Sequence, residues 1–202
     1  MFSSPRLDNI TSVHASVEGL INSGREAGID VAVLYDNEEI GSGTKQGART
    51  AALPFVLEKL ELALGISRDR FLSALMSSLL LSMDVGHAMH PNYPQAMNAD
   101  NSIDLNEGFV IKTASSQSYS TDSEGIAIVK ALADANGIPY KVFCNRADKP
   151  GGGTLGGMVS VLLSARTVDI GVPLLSMHSA RELMGVKDQQ ALLDLVKAFY
   201  SA

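Results

Sequence analysis

The chain has 202 residues, 46% of them hydrophobic and 19% charged, with a net charge of −6 at pH 7. That length accommodates one domain with a substantial core, and the composition is that of a globular chain, not a disordered one. An acidic balance without any basic cluster or aromatic-basic interleaving excludes a general nucleic-acid binder, and Ser and Asp interrupt every apolar run well short of membrane-spanning length.

The predicted elements alternate in type. Val13, Val17, Leu20 and Ile21 keep helical spacing and predict a helix over 9–23. The run Val31-Ala32-Val33-Leu34-Tyr35, after Gly28, predicts a buried strand because β-branched and aromatic residues cluster there. Leu53, Leu57, Leu60 and Leu64 share one face of a helix over 47–64, with Pro54 in an early turn or at a kink. Ser67 is placed to cap the next helix, which gives way to a strand at Leu79–Met83. A strand at 109–113 and a helix at 121–135 follow, the helix stopped by Asn136-Gly137. After these come a strand at 140–144, a helix at 154–164, strands through 168–170 and 173–177, and a last helix at 187–200. The alternation predicts an α/β fold, a three-layer sandwich around a mostly parallel central sheet. No repeat or low-complexity tract interrupts it. The single Cys144, in a strand pattern, reads as a buried structural thiol; it cannot form an internal disulfide, which suits a reducing cytoplasm.

Chemistry concentrates where these elements end. Residues 36–41 read Asp-Asn-Glu-Glu-Ile-Gly directly after the predicted 31–35 strand. Three carboxylates so close repel one another unless cations or protons intervene. If the chain is still extended there, Glu38 and Glu39 point to opposite sides, so one can bind a metal while the other reaches a water. A solvated acidic turn is the plainer reading of the segment alone. Asp8, Asp84 and His178 also follow or interrupt apolar stretches, where an unpaired ionisable group is costly. Together with Glu39 they form an oxygen and imidazole set suited to zinc, with manganese or cobalt as substitutes. Strand ends are also where ligands collect in open α/β sheets.

The segments Ser4-Pro5-Arg6-Leu7-Asp8-Asn9, Asp36-Asn37-Glu38-Glu39-Ile40-Gly41-Ser42, Asp84-Val85-Gly86-His87-Ala88-Met89-His90-Pro91-Asn92-Tyr93 and Met177-His178-Ser179-Ala180-Arg181-Glu182 resemble the aspartyl aminopeptidase family of dinuclear zinc exopeptidases. The match is collinear and nearly full length. The resemblance implies that Asp8 bridges two zinc ions, that Glu39 and His178 complete one, and that Asp84 ligates the other. It implies that Glu38 is the general base acting on a metal-bridging water, and that His87, Lys112 and Thr154 lie on the substrate side. Lys112 would pair with an acidic substrate side chain, and Thr154 follows the Gly151-Gly152-Gly153 run, which lacks the Lys-Ser/Thr ending of a nucleotide loop. Asp36 matches no ligand. His90 is read as pinning a turn and His14 as an exposed helix residue.

The family also carries a His-x-Asp motif that completes the Asp8–Asp84 zinc, and no His-x-Asp occurs in this chain. The expectation is therefore that residues 1–202 form the C-terminal portion of a catalytic domain whose N-terminal portion and inserted association domain are absent. The resemblance implies a metallo-aminopeptidase acting on peptides with acidic N-terminal residues and forming homo-oligomers when complete, and the single Cys144 suggests a cytoplasmic location. Two other readings stay open: a metal-free glycoside hydrolase using Glu38 with Asp84, and an inactive remnant that acts only as an assembly partner.

Overall fold

Two four-stranded sheets organise the chain. In the computed structural model, which describes residues 1–149 and 151–202, the larger sheet is built in spatial order from β2 (Leu79–Met83), β6 (Arg166–Gly171), β4 (Phe109–Thr113) and β5 (Tyr140–Cys144). β2 runs parallel to β6 and β4 parallel to β5, while β4 and β6 are antiparallel. The smaller sheet has β1 (Phe2–Ser4), β8 (Glu182–Met184), β7 (Pro173–Leu175) and β3 (Gly86–His87), of which only β3 and β7 pair in parallel. The fold is α/β with mixed sheets.

Side chains leave the larger sheet on two faces, as strand geometry demands. Leu79, Leu81 and Met83 of β2 join the core formed with α1 (Leu7–Ile21), α4 (Ser123–Ala135) and α6 (Val186–Ser201). Leu80, between them, joins a separate core with α2 (Ala52–Ala63) and α5 (Gly156–Leu163). Helices on both faces make three layers. The predicted caps are in place: Ser67 accepts the Arg70 N–H ahead of α3 (Arg68–Ser77), and Gly137, at φ +64°, follows α4. Pro54 stands in the first turn of α2, where its missing N–H costs nothing. Among the described residues no helix is long and apolar enough to cross a membrane.

The two sheets are joined where β2 passes through Asp84-Val85 into β3 and β6 passes through Val172 into β7. Asp84 therefore sits at a crossing between sheets. A side chain at Gly171 would collide with the Asp84 carbonyl, so the close approach of these chains requires glycine there.

Several expectations are corrected. Residues 31–35 belong to neither sheet, and Val31, Val33 and Leu34 are 42%, 39% and 54% exposed. Among the described residues no strand lies alongside to pair with them, and an apolar run becomes a strand only where another edge accepts its hydrogen bonds. Of the expected apolar face of α1 only Leu20 packs against the core: Val13, Val17 and Ile21 are exposed, while Ala15, Ser16 and Gly19 are buried. The reason is the close packing of α1 on α6, where a Cβ at Gly19 would press into the Val196 side chain. The strands β1, β3 and β8 are too short for alternation to announce them. Cys144 is only half-buried, its thiol 3.7 Å from the Asn145 carbonyl.

Candidate metal centre

Three loops deliver the candidate ligands. Asp8 opens α1 with non-helical angles (φ −81°, ψ 107°), so its carboxylate leaves the helical path. The Asn9 amide donates to the Met83 carbonyl at 2.9 Å, which ties the Asp8 turn to the strand that leads to Asp84. Glu39 lies in a single helical turn, Glu38–Ile40, entered through Asn37 at φ +60° and left through Gly41 at φ +92°. Asparagine and glycine tolerate that left-handed conformation. Asp36 accepts the Asn37 N–H at 2.8 Å, so it caps this loop. His178 stands at φ +66° in the turn between β7 and β8.

These loops bring Asp8, Glu39 and His178 together. His178 Nε2 is 3.1 Å from Asp8 Oδ2 and 3.2 Å from Glu39 Oε1. One donor atom from each residue falls within 4.8 Å of the others. Two carboxylate oxygens and one imidazole nitrogen, converging from 8, 39 and 178, form a donor set that fits zinc. The Asp8 side chain is 8% exposed, while those of Glu39 and His178 are open to solvent.

Glu182 is the residue that sequence reasoning missed. Its side chain is 2% exposed, and its two oxygens accept the backbone N–H groups of Asp8, at 2.9 Å, and of His178, at 2.7 Å. One carboxylate thus fixes two ligand-bearing turns relative to each other. The available signal was its place in Met177-His178-Ser179-Ala180-Arg181-Glu182, four residues after His178.

The remaining acids crowd the same region. Burial, then Asp84 and Glu39, push the Asp8 carboxyl up to about 7, with His178 opposing. Glu38 is raised by burial and by Asp84 and Glu39, while Lys112 and His178 pull it down. Asp84 is raised chiefly by burial, against the Lys112 ammonium and the Val85 N–H, which its Oδ1 accepts at 2.8 Å. Such crowding disfavours ionised carboxylates and is relieved by a bound cation.

Lys112 and Thr154 do not face an opening. Lys112 is 1% exposed, and its Nζ donates to the carbonyls of Asp84 and Val85, each at 3.1 Å, while lying over the Tyr119 ring. It braces the sheet crossing from behind. Thr154 is 6% exposed, with its hydroxyl given to the fully buried Asp169. Asp169 also accepts the Ser120 N–H at 2.6 Å, and its own N–H donates to Thr121 Oγ1 at 2.8 Å, so it holds the loops around 120 and 154 to β6. Two of the three Lys112 N–H donors and the Thr154 hydroxyl are thus committed inside the protein. His87 extends from β3 to the surface. Although part of its ring reaches solvent, its surroundings desolvate it enough to lower its pKa, and His178 and Lys112 add to that effect. His90 accepts the Asn92 N–H at 3.1 Å and pins its turn, and His14 is exposed.

Residues 1–200 match the family described as aminopeptidase I zinc metalloprotease (M18). The probable M18 family aminopeptidase 2 of Clostridium novyi is 45% identical over 199 residues, covering 98% of this chain and 46% of that protein. The S. cerevisiae mApe1 dodecamer superposes with a TM-score of 0.82 at 31% identity, over 98% of this chain and 45% of that one. The M18 aminopeptidase of Thermotoga maritima has a TM-score of 0.90 at 23% identity, over 98% of this chain and 46% of that one, and so shares the fold. The chain spans about half the length of the curated relatives it matches. It belongs to the M18 aminopeptidase I family, a family of zinc-dependent hydrolases, which sets aside the glycoside hydrolase reading.

Proposed function

We propose, from membership of the M18 family, that this chain supplies most of the metal centre and the general base of an aminopeptidase that removes N-terminal residues from peptides. The observation that carries this reading is the convergence of Asp8, Glu39 and His178, held in place by Glu182. These three would hold one zinc, and Asp84, close enough to raise the Asp8 carboxyl, would contribute with Asp8 to a second. Bound there, zinc supplies Lewis acidity for the scissile carbonyl and makes water a better nucleophile at neutral pH.

The chain's own residues do the rest. Glu38 adjoins Glu39, lies outside the three-residue cluster, and has a carboxyl raised by burial and by Asp84. A carboxylate so tuned takes a proton from the attacking water and returns it to the departing amine. His87, exposed on β3, would meet the substrate. An acidic preference at the N-terminal residue rests on the resemblance and on Lys112, whose ammonium has a third donor beyond its two carbonyl bonds. In the complete protein we expect a homo-oligomer, as the related mApe1 is a dodecamer. The single Cys144 suits the cytoplasm.

The test is zinc stoichiometry on the wild type, Glu39→Ala, His178→Ala and Asp84→Ala, followed by hydrolysis of aspartyl- and leucyl-amide substrates with the remaining half of a relative supplied. Loss of the tightly held zinc in Glu39→Ala and His178→Ala, with a separate effect of Asp84→Ala, is expected. Absence of any hydrolysis after zinc loading and complementation would favour the assembly-partner reading, which the lack of a His-x-Asp motif motivates.

A further inference from the structure

Asp169 lies within β6, between β2 and β4, and has no exposed surface. Its neighbours Val168 and Ile170 belong to the main core, while Asp169 faces two loops instead. A buried carboxylate is costly unless it is hydrogen-bonded. Here the bonds come from neutral groups on both loops: Oδ2 accepts the Ser120 N–H at 2.6 Å, and Oδ1 accepts the Thr154 hydroxyl. The Asp169 N–H adds a third tie, to Thr121 Oγ1 at 2.8 Å. The fit is close as well. A Cβ at Gly156 would fall 2.5 Å from Oδ1, so the carboxylate sits against bare backbone.

The same two loops reach the metal centre. Tyr119 is buried over Lys112, with its ring centroid 5.2 Å from Nζ, and that Nζ donates to the carbonyls of Asp84 and Val85. The Asn145 side chain lies against Tyr119 and against Gly151, where a Cβ would collide with it. Gly153 in turn comes close to the Ser118 carbonyl. Residues 114–121, after β4, and 151–156, leading into α5, therefore abut one another beside Asp84. Asp169 is the group beneath that bonds to both.

We infer that Asp169 is a positioning residue for substrate: by clasping both loops it sets the wall beside Asp84 that receives the N-terminal residue of the peptide. The inference rests on the aminopeptidase reading. What Asp169 supplies is shape and hydrogen bonding. An amide of the same shape can accept the Ser120 N–H with its oxygen and donate its NH₂ to Thr154 Oγ1, because a hydroxyl both donates and accepts. Loss of the clasp is different, since a misplacement of about 1 Å in a positioning group can cost about a hundredfold.

The experiment loads the 202-residue chain with zinc and titrates it by calorimetry with two chelating probes. Acetohydroxamate reads the metal centre alone, whereas aspartic acid α-hydroxamate adds an α-amine and a side chain for the wall to receive. In Asp169→Ala the aspartyl probe should bind at least about tenfold more weakly. Zinc stoichiometry and acetohydroxamate affinity should stay as in the wild type, and hydrogen exchange should rise in 114–121 and 151–156 together. Asp169→Asn should bind the aspartyl probe about as tightly as the wild type. Thr154→Val, which frees one loop only, should lose less than Asp169→Ala, and Thr154→Ser should recover the loss. That second pair decides the matter if Asp169→Ala does not fold. Undiminished aspartyl binding in Asp169→Ala and Thr154→Val overturns the inference. So does an Asp169→Asn chain as weak as Asp169→Ala, which would assign the role to charge. A wild type that binds acetohydroxamate but holds the aspartyl probe no tighter removes the wall and leaves the metal centre. A zinc-loaded wild type that binds neither probe removes the aminopeptidase reading and the inference with it.

Discussion

The region around α6 and the region around the β2 edge both present apolar faces but differ in how they are covered. Phe109, Ile111, Leu192 and Leu195 have no exposed surface, enclosed by α1, α4 and both sheets. Val33 and Leu34 retain 39% and 54% of theirs, although the 31–35 run reads as more strand-like than much of the covered core. The difference teaches that apolar patterning specifies a demand for burial and says nothing about which polypeptide meets it.

Four measurements would break or sharpen that contrast. Phe109→Ala, in the covered region, should cost about 3–5 kcal/mol by urea denaturation, since a large side chain is removed from a closed core. If it costs less than a surface change, the covered region is not the source of stability. Glu182→Ala, at the seam between the regions, removes the acceptor of two part-buried N–H groups and should weaken zinc binding about 10–100-fold by competition with a chelating dye.

A smaller effect is expected from pH. Burial and the neighbouring carboxylates hold the Asp8 carboxyl at about 7, above its usual value of 3.8. Between those values the folded chain keeps a proton that the unfolded chain has lost, so the metal-free protein loses stability as pH rises through that window. Its melting temperature should fall from pH 4.5 to 7.5, less steeply in Asp8→Asn, and zinc addition near pH 6 should release protons measurable by calorimetry in two buffers. The smallest effect is predicted in the exposed 31–35 run: Val33→Ser should change the stability of the chain by no more than about 0.5 kcal/mol. A cost comparable to that of Phe109→Ala would show that 31–35 is already packed.

Much of the architecture was legible because its signals are local. The Ser67 cap, the Asn136-Gly137 stop and the 79–83 strand depend on neighbours in sequence, and each lies where it was expected. The α1 face was misread because burial there is decided by α6, more than 170 residues away, which admits Ala15 and Gly19 and leaves Val17 outside. Asp8, Glu39 and His178 could be nominated from donor chemistry and resemblance, but their approach within 4.8 Å depends on turns at positive φ that no periodicity marks. Glu182 and Asp169 were illegible for a different reason. A buried acid that accepts main-chain N–H groups looks, in a one-dimensional string, like any surface acid in a short strand.

The double acceptance by Glu182 links the first turn of the chain to its last hairpin, across a separation of 174 residues to Asp8. Ion capture here consequently reports on ring closure of the whole polypeptide. A protease nick that freed β8 would release the cation with every coordinating side chain still chemically intact, so loss of a zinc signal can time the opening of the fold.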